Sequence, residues 1–482
     1  MTIQFSELAG EILVPTIAVE TDLNSSRVGL PALNKKLLVV GYPTSGGSAT
    51  VGVPYQATST AQAIALWGIG SQVAIMVEAA LRISPRLDIW GMSYAQGTGS
   101  STGVITLATS ATSAGLLTVH VAGRAYRVGV ESGDAPTDVG TALAAKINAH
   151  PNFPCTAADN GSGVVTLTAR NLGNESNTIR YRSEISAGIG MTSTDTGAVF
   201  SGGTASGDPT AALANIQNQR FHLIALNTFD STTGGVLKTH IELVSSALEQ
   251  KWGFGVQGVC GNSAAATGLA TALDSYRMQV VWHQSSDQPC FELAAVFGAE
   301  RCRVVDRKQS LNYHALPGIT AQFDETAWPT LGEERVAIAG AVIPIRPLRG
   351  GGVQIVRNVL ARVTSPAFRD AEPLEIGDYL DEDIIEQFKL KYSDAALKSA
   401  SPAQQPGTLD PARAIALVAA RMMLLEGLDY LQGTKKIIQG KLIVAEQNAT
   451  DPTRIDIGFP FIPSHPLHVV AIKKSYSTPD FL

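Results

Sequence analysis

Apolar and polar positions alternate in the first recognisable element of this chain. In "ILVPTIAVETD", residues 12–22, Ile17 and Val19 fall on one face and Ala18 and Glu20 on the other, the two-residue period of a half-buried strand. Pro15 has no amide hydrogen to give a ladder, which assigns this strand to a sheet edge. Residues 23–29 read as a loop and no hairpin partner follows, so the strand must find its sheet elsewhere.

From residue 37 the period switches between strand and helix. "LLVVGY" (37–42) is a buried-strand run, and a helix is expected from Ser71 to Arg82, with Val73, Val77, Ala80 and Leu81 on one side. "LDIWGMSY" (87–94) is the next strand. Between about 97 and 205 short strands are separated by Gly, Ser and Asn, and "GVITLA" (103–108) recurs as "GVVTLTA" (163–169). One helix interrupts them, Asp134 to Ala149, with Asp134 as its N-cap and Val139, Leu143 and Ile147 four apart. The flanks "AQGTGSSTG" and "SGGTASGDP" are the small-residue joints of a tolerated insertion.

The alternation resumes with Asp208-Pro209 capping a helix, then strands "FHLIALN" (221–227), "FGVQGVCG" (254–261) and "MQVVWHQ" (278–284). Helices are expected near 236–250, 263–276 and 291–300. Strands 25 to 35 residues apart, joined through helices, indicate right-handed βαβ units and a parallel sheet.

Past residue 340, "VAIAGAVIPIR" and "VQIVRNVLARV" flank "PLRGGG" (347–352) and read as a hairpin with a glycine-rich loop. An acidic segment, "LEIGDYLDEDIIEQFKLKY", and a linker, "SPAQQPG" (401–407), precede a helix capped by Asp410, opened by Pro411 and ended by Gly433. "KLIVAEQ", "RIDIGFPFI" and "HPLHVVAIKKSYS" close the chain, and the final strand, 467–476, again lacks a partner.

Length adds that 482 residues exceed one core, which stops growing at roughly 250–300 residues, so two to four domains are expected. The 42 acidic and 36 basic residues give no basic stripe of the kind that binds nucleic acid. No uninterrupted apolar run reaches membrane-spanning length, and the most apolar helix candidate, 411–431, is broken by Arg413 and Arg421. The opening carries Glu7 and Glu11 and no early Lys or Arg, unlike a secretory signal. Cys155, Cys260, Cys290 and Cys302 are too scattered for a disulfide framework and form no Cys-x-x-Cys pair, which fits reduced thiols in a bacterial-type cytoplasm.

Candidate chemistry is sparse. "CGNSAAATG" (260–268) puts Ser263 between a strand and a helix, where an α/β hydrolase carries its nucleophile, but Ala265 stands where G-x-S-x-G needs glycine. A serine hydrolase would use Ser263 with Asp230 and His283; helix capping is the plainer role for Ser263. "GIGSQV" (68–73) and "GYPTSGGSATVG" (41–52) complete neither a dinucleotide fingerprint nor a P-loop. "HPLH" would point His465 and His468 to opposite faces of a strand, which is poor for one metal. Asp378, Asp381, Glu382, Asp383 and Glu386 lack the pattern of a calcium loop and read as a solvated or partner-facing surface. Neither cofactor nor metal is expected, and the empty inventory favours a structural role.

The fold class is therefore multidomain α/β plus α+β: a parallel α/β domain (26–96 and 206–340) split by a β-rich inserted domain (97–205), then an α+β domain (341–464). Extended strand arms, 1–25 and 465–482, lie at the two ends. This order resembles the contractile-tail sheath proteins of bacteriophages, particularly the Mu-like group. The resemblance is carried by "ILVPTIAVETDLNSSRVGLPALNKKLLVVGY", "RVAIAGAVIPIRPLRGGGVQIVRNVLARVTS", "LEIGDYLDEDIIEQFKLKY" and "DPTRIDIGFPFIPSHPLHVVAIKKSYS". It implies a non-enzymatic virion subunit, assembled in the host cytoplasm, that forms stacked rings around a tail tube and contracts to drive the tube through the host envelope. Its implied partners are copies of itself, the tail tube protein, and baseplate and tail terminator proteins, with no direct nucleic-acid contact and no membrane insertion. It also implies that both arms add strands to neighbouring subunits through residues such as Val14, Ile17 and Val19 at one end and His468, Val470 and Ile472 at the other. The C-terminal domain would face the tube, by either the 410–431 helix or the charged block at 378–391, and the insertion would face outward. Another self-assembling virion component shares the self-association but fits a parallel α/β core less well.

Overall fold

A computed structural model describes residues 35–196, 198–322, 325–364, 369–399 and 407–473. The expected N-terminal strand with Val14, Ile17 and Val19 lies outside the described residues.

The chain enters through strand β1 (Lys36–Gly41), β2 (Tyr55–Gln56), helices α1 (Thr60–Trp67) and α2 (Gln72–Ile83), and β3 (Asp88–Ser93). It then makes β4 (Thr102–Ala108), β5 (Gly115–Val121), β6 (Arg124–Val130), α3 (Pro136–Asn148), β7 (Cys155–Asp159), β8 (Val164–Ala169), β9 (Tyr181–Ile185) and β10 (Thr192–Asp195). Next come α4 (Thr210–Ala214), β11 (Leu223–Leu226), α5 (Ser231–Val244), β12 (Phe254–Val259), α6 (Ser263–Leu273), β13 (Met278–Trp282), α7 (Cys290–Arg303), α8 (Leu331–Ala339), β14 (Ile343–Pro347) and β15 (Val353–Ile355). The last described part holds α9 (Ala371–Tyr392), β16 (Ala396–Leu397), β17 (Thr408–Leu409), α10 (Pro411–Gly427), α11 (Thr434–Gln439), β18 (Val444–Gln447) and β19 (Ile455–Gly458).

One eight-stranded sheet runs β15-β14-β13-β12-β11-β1-β3-β2. From β3 to β14 all its pairs are parallel, and each edge ends in one antiparallel strand. Both faces are covered: Leu37 and Val39 enter a core with α2 and α7, whereas Leu38 and Val40 enter a second core with α4, α5 and α6. That double burial is why β1 reads as an unbroken apolar run. In chain order the parallel strands follow the doubly wound 2-1-3-4-5 pattern, extended by β14.

Strands β4 to β10 share no ladder with this sheet. They form a four-stranded sheet, β10-β4-β8-β7, and a three-stranded sheet, β6-β5-β9, around a core with α3. The two near-identical segments are β4 and β8, paired antiparallel with Ile105 opposite Val165. In the last part, α9 and α10 pack through Ile376, Tyr379, Leu380, Val418 and Met422, and β18–β19 is a two-stranded antiparallel hairpin.

Several expectations need correction. The cap of α3 is Ala135; the Asp134 carboxylate instead accepts from Glu131 N–H in the preceding turn. α5 begins at Ser231 because Asp230 caps it, and Gly234-Gly235 sits inside the helix. A Cβ on Gly234 would lie 2.3 Å from Gln257 Oε1, so the glycine permits close approach to β12 and is no loop signal. Asn262 caps α6, and Ser263 is its first residue. Residues 336–339 are helical, since a capping box of Thr330 and Glu333 starts α8 before them. Only the part of the expected hairpin next to its loop forms, as β14 and β15, and it belongs to the main sheet, which thus runs past residue 340. α10 ends at Gly427, and Gly433, with φ 71°, instead opens α11. Two elements without a long periodic signal, β2 and α1, complete the sheet edge and its covering layer.

Candidate assembly surfaces

Ligands of doubly wound sheets bind where the strand order reverses, outside the carboxyl ends of the strands. Here that crevice lies beyond Gly41 of β1 and Leu226 of β11, beside the start of α2, and the chain fills it with its own side chains. Asn152 Oδ1 accepts from Gly70 N–H at 3.2 Å and Asn171 Oδ1 accepts from Gln72 N–H at 3.1 Å. Both asparagines come from the β4–β10 region, and they occupy amides that a helix N-terminus would offer a phosphate. Asn171 Nδ2 donates to Pro43 O, and Tyr42 Oη accepts from Gly207 N–H at 2.6 Å. Behind them Tyr94 donates to Asn227 Oδ1, and Asn227 donates to Gln72 Oε1. Glu175 is 0% exposed beside Tyr42 and Ser206, and burial pushes its pKa up although both hydroxyls favour its charged form. The crevice is a joint between two parts of the chain.

The acidic segment is not the solvated face that its composition suggests. As helix α9 it places Glu375, Asp378 and Glu382 at i, i+3 and i+7, on one side. Arg277 grips Asp378 with two bonds of 2.6 and 2.8 Å. Lys35 and Arg301 meet Glu375, and Arg220 and Arg307 meet Glu382. Arg301 also lies 3.9 Å over the Phe254 ring, and Arg307 lies 4.5 Å over Tyr379. Burial alone would raise the Glu375 carboxyl, but Lys35, Arg301 and Arg307 bring it down to about 2. Asp383, turned toward α10, takes two bonds from Arg421. Asp381 and Glu386 remain exposed. The five arginines and Lys35 are scattered over the chain, so no local pattern announces this seam.

Beyond it, the C-terminal part leaves apolar surface uncovered. Met423 and Leu424 on α10, Leu442, Val444 on β18, and Phe461 and Ile462 are all exposed. An open groove of about 470 Å³ is lined by Gln432, Gly433, Lys436, Ile437, Leu442 and Ile462. In the β18–β19 hairpin each strand pairs only with the other, so among the described residues both outer edges lack a strand partner. Exposed apolar side chains around an open groove suit a contact site, and unpaired edges template strand addition.

The tail follows. His468, Val470 and Ile472 lie in a stretch, 465–473, that forms no strand with the rest of the described chain. Leu467, Val469, Val470 and Ile472 are 68–84% exposed. His468 differs: its Nδ1 faces Asn312 Nδ2 at 2.9 Å and its Nε2 faces Asp370 Oδ2 at 3.1 Å.

The residues of the hydrolase reading are not assembled. Asp230 Oδ1 accepts from Thr232 and Thr233 amides at the start of α5. The His283 ring is fully buried, makes no hydrogen bond to Ser263 or Asp230, and is held by burial at a pKa of about 3. Among the described residues no group of His, Cys, Asp and Glu is placed to hold a metal ion, and no helix is long and apolar enough to cross a membrane.

No family model matches the chain. The Mu-like prophage FluMu tail sheath protein of Haemophilus influenzae is 27% identical over 312 residues, 62% of this chain and 62% of that protein. The match thus spans less than two thirds of the relative's length. Among solved structures, the helical sheath of the anti-feeding prophage in its contracted state superposes with a TM-score of 0.50 at 12% identity, covering 97% of this chain and all of that one. A sheath tail protein from Desulfitobacterium hafniense gives 0.49 at 12% identity, over 93% and 96% of the two chains. The resemblance read from the residue order thus has a sequence counterpart and a structural one: this chain is similar in sequence to a Mu-like prophage tail sheath protein and similar in fold to the sheath subunit of a contractile system.

Proposed function

We propose that this chain is a structural subunit of a contractile phage tail sheath, which polymerises into stacked rings around a tail tube and contracts to drive the tube through a host envelope. The observation that carries this is the sequence likeness to a tail sheath protein over 312 residues. Geometry supports it: a tail with four exposed apolar side chains, and a hairpin with free edges on the same polypeptide. In this reading residues 465–482 of one copy, and 1–25 of another, add strands to β18–β19 of a neighbour. Main-chain hydrogen bonds attach them, and Val470 and Ile472, or Val14, Ile17 and Val19, set the register in apolar pockets.

Burying Val469, Val470 and Ile472 in a neighbour would gain roughly 1.5–3 kcal/mol each before the cost of association. The extended sheath would be metastable, and contraction would exchange one set of subunit contacts for a lower one, with no nucleotide. Residues 97–205 would form the outward module and the α9–β19 part would face the tube, by α10 or by α9. Tube, baseplate and terminator proteins would be its partners in the virion tail, after assembly in the host cytoplasm.

The test is negative-stain electron microscopy of the purified chain over a concentration series. Hollow tubes or stacked rings are expected from the full chain, and a folded monomer from chains lacking 1–20 or 469–482. Tubes that persist in both truncations would rule out strand exchange, and a full chain that stays monomeric even with tube protein present would rule out the sheath role.

A further inference from the structure

Of residues 465–473 only Pro466 and His468 are partly covered. Among the described residues, every hydrogen bond that joins 465–473 to the rest of the chain is made by His468. Its binding notch is built from three separate segments. Asp370 stands at the N-cap of α9 yet makes no side-chain cap bond. Its carboxylate is held by Arg357 through two bonds of 2.8 and 2.9 Å and presents Oδ2 to the imidazole. Asn312, from the segment after α7, presents its amide to the other ring nitrogen. The contacts match one tautomer, in which Nε2–H donates to the carboxylate and Nδ1 accepts from the amide.

Two uses of such a clasp make opposite demands on the neighbouring side chains. A tail parked on its own subunit would bury its apolar residues there, and release would expose them. Here the residues on both sides of His468 stand in solvent while the histidine is engaged. We infer that His468 is the fixed post at which the C-terminal arm leaves its own subunit, and that Asp370, Arg357 and Asn312 aim the following residues outward for capture by a second copy. This rests on the strand-exchange reading above and adds where the donor segment begins: at Val469. Fixing the root of the arm removes chain freedom before association, and less is then lost when a neighbour binds. The same post would let a subunit tilt without its arm sliding along its own surface.

The test uses the full chain and reads the critical concentration for tube formation by sedimentation and microscopy. His468→Ala and Asn312→Ala are each expected to raise it about tenfold. His468→Gln, whose amide can donate to Asp370 and accept from Asn312, should recover most of the loss, which a general packing defect would not allow. A double variant, Asn312→Cys with His468→Cys, bridged by a short bismaleimide, should assemble at least as well as its unbridged form; the four native thiols are all buried. The post is overturned if His468→Ala assembles at the wild-type concentration, or if bridging abolishes assembly that the unbridged protein retains, since the arm must then leave the notch. If removal of 469–482 leaves assembly unchanged, the arm reading fails and takes the post with it; the first two outcomes overturn the post alone.

Discussion

Glu175 is the residue most at odds with its surroundings: a carboxylate with no exposed surface, whose pKa burial pushes up, at the joint where the chain fills its own ligand crevice. Its raised pKa means that the folded state favours the protonated form, so ionisation at neutral pH costs stability, a cost absent below its unfolded value. Glu175→Gln, which keeps shape and removes the charge, should therefore raise the melting temperature at pH 7, by the equivalent of about 1–3 kcal/mol, and leave it nearly unchanged at pH 4. Paired thermal melts at the two pH values check this. Nothing in the sequence singles out Glu175, because its distinction is burial. The same holds for Asn152 and Asn171: two asparagines in ordinary polar stretches become the plug of α2 only after the β4–β10 region folds back onto it.

At the scale of elements, α9 and β18–β19 divide the work. α9 carries Ile376, Tyr379 and Leu380 toward α10 and a row of carboxylates toward the main sheet, so one helix glues the C-terminal part to the body by two different chemistries. The Arg277–Asp378 pair is nearly buried, and Arg277→Ala would leave the Asp378 carboxylate without its bidentate partner. A loss of about 3–5 kcal/mol is expected, read as a lower urea midpoint, with a smaller loss in the Arg277→Ala/Asp378→Leu double variant. The hairpin should behave in the opposite way. Leu442 and Val444 are exposed, so replacing both with Lys should change the monomer's melting temperature by less than 2 °C, given that surface changes are within about 0.5 kcal/mol. It should raise the critical concentration for tubes by about tenfold or more, since edge lysines oppose strand addition. The acid-rich helix was visible as composition but its role was not, because its arginine partners, Arg220, Arg277, and Arg301 with Arg307, come from three other parts of the chain.

For the whole molecule, buried histidines set the response to acid. Burial brings His222 to about 3, His240 to about 4 and His283 to about 3, each from 6.5. The unfolded chain takes up protons below 6.5 that the folded chain refuses, so stability is full above that value and is lost as pH falls toward 4 and then 3. Up to roughly 2 kcal/mol per histidine is at stake by pH 5. Glu375 adds a second loss lower down, between 4.5 and about 2. Melting temperature should fall measurably between pH 7 and 5, and His240→Gln should flatten that limb; an unchanged profile in the variant would remove His240 from the account.

Periodicity and order along the chain were enough to read β1, β3, β11, β12 and β13 as buried strands and to carry the resemblance to tail sheath proteins. Those properties are local or sequential: an apolar run such as Leu37–Val40 is a buried strand wherever it lands, and the order of segments survives folding. Tertiary structure alone decided what depends on meeting at a distance. It assigned β14 and β15 to the main sheet by ladder pairing, turned the acidic block into an ion-paired seam, closed the switch-point crevice with Asn152, Asn171 and Glu175, and gave His468 its notch. The physical reason is common to all four. A residue's burial and its partner are properties of the packed chain, and partners such as His468 and Asn312 stand 156 positions apart, beyond any period that a sequence can carry.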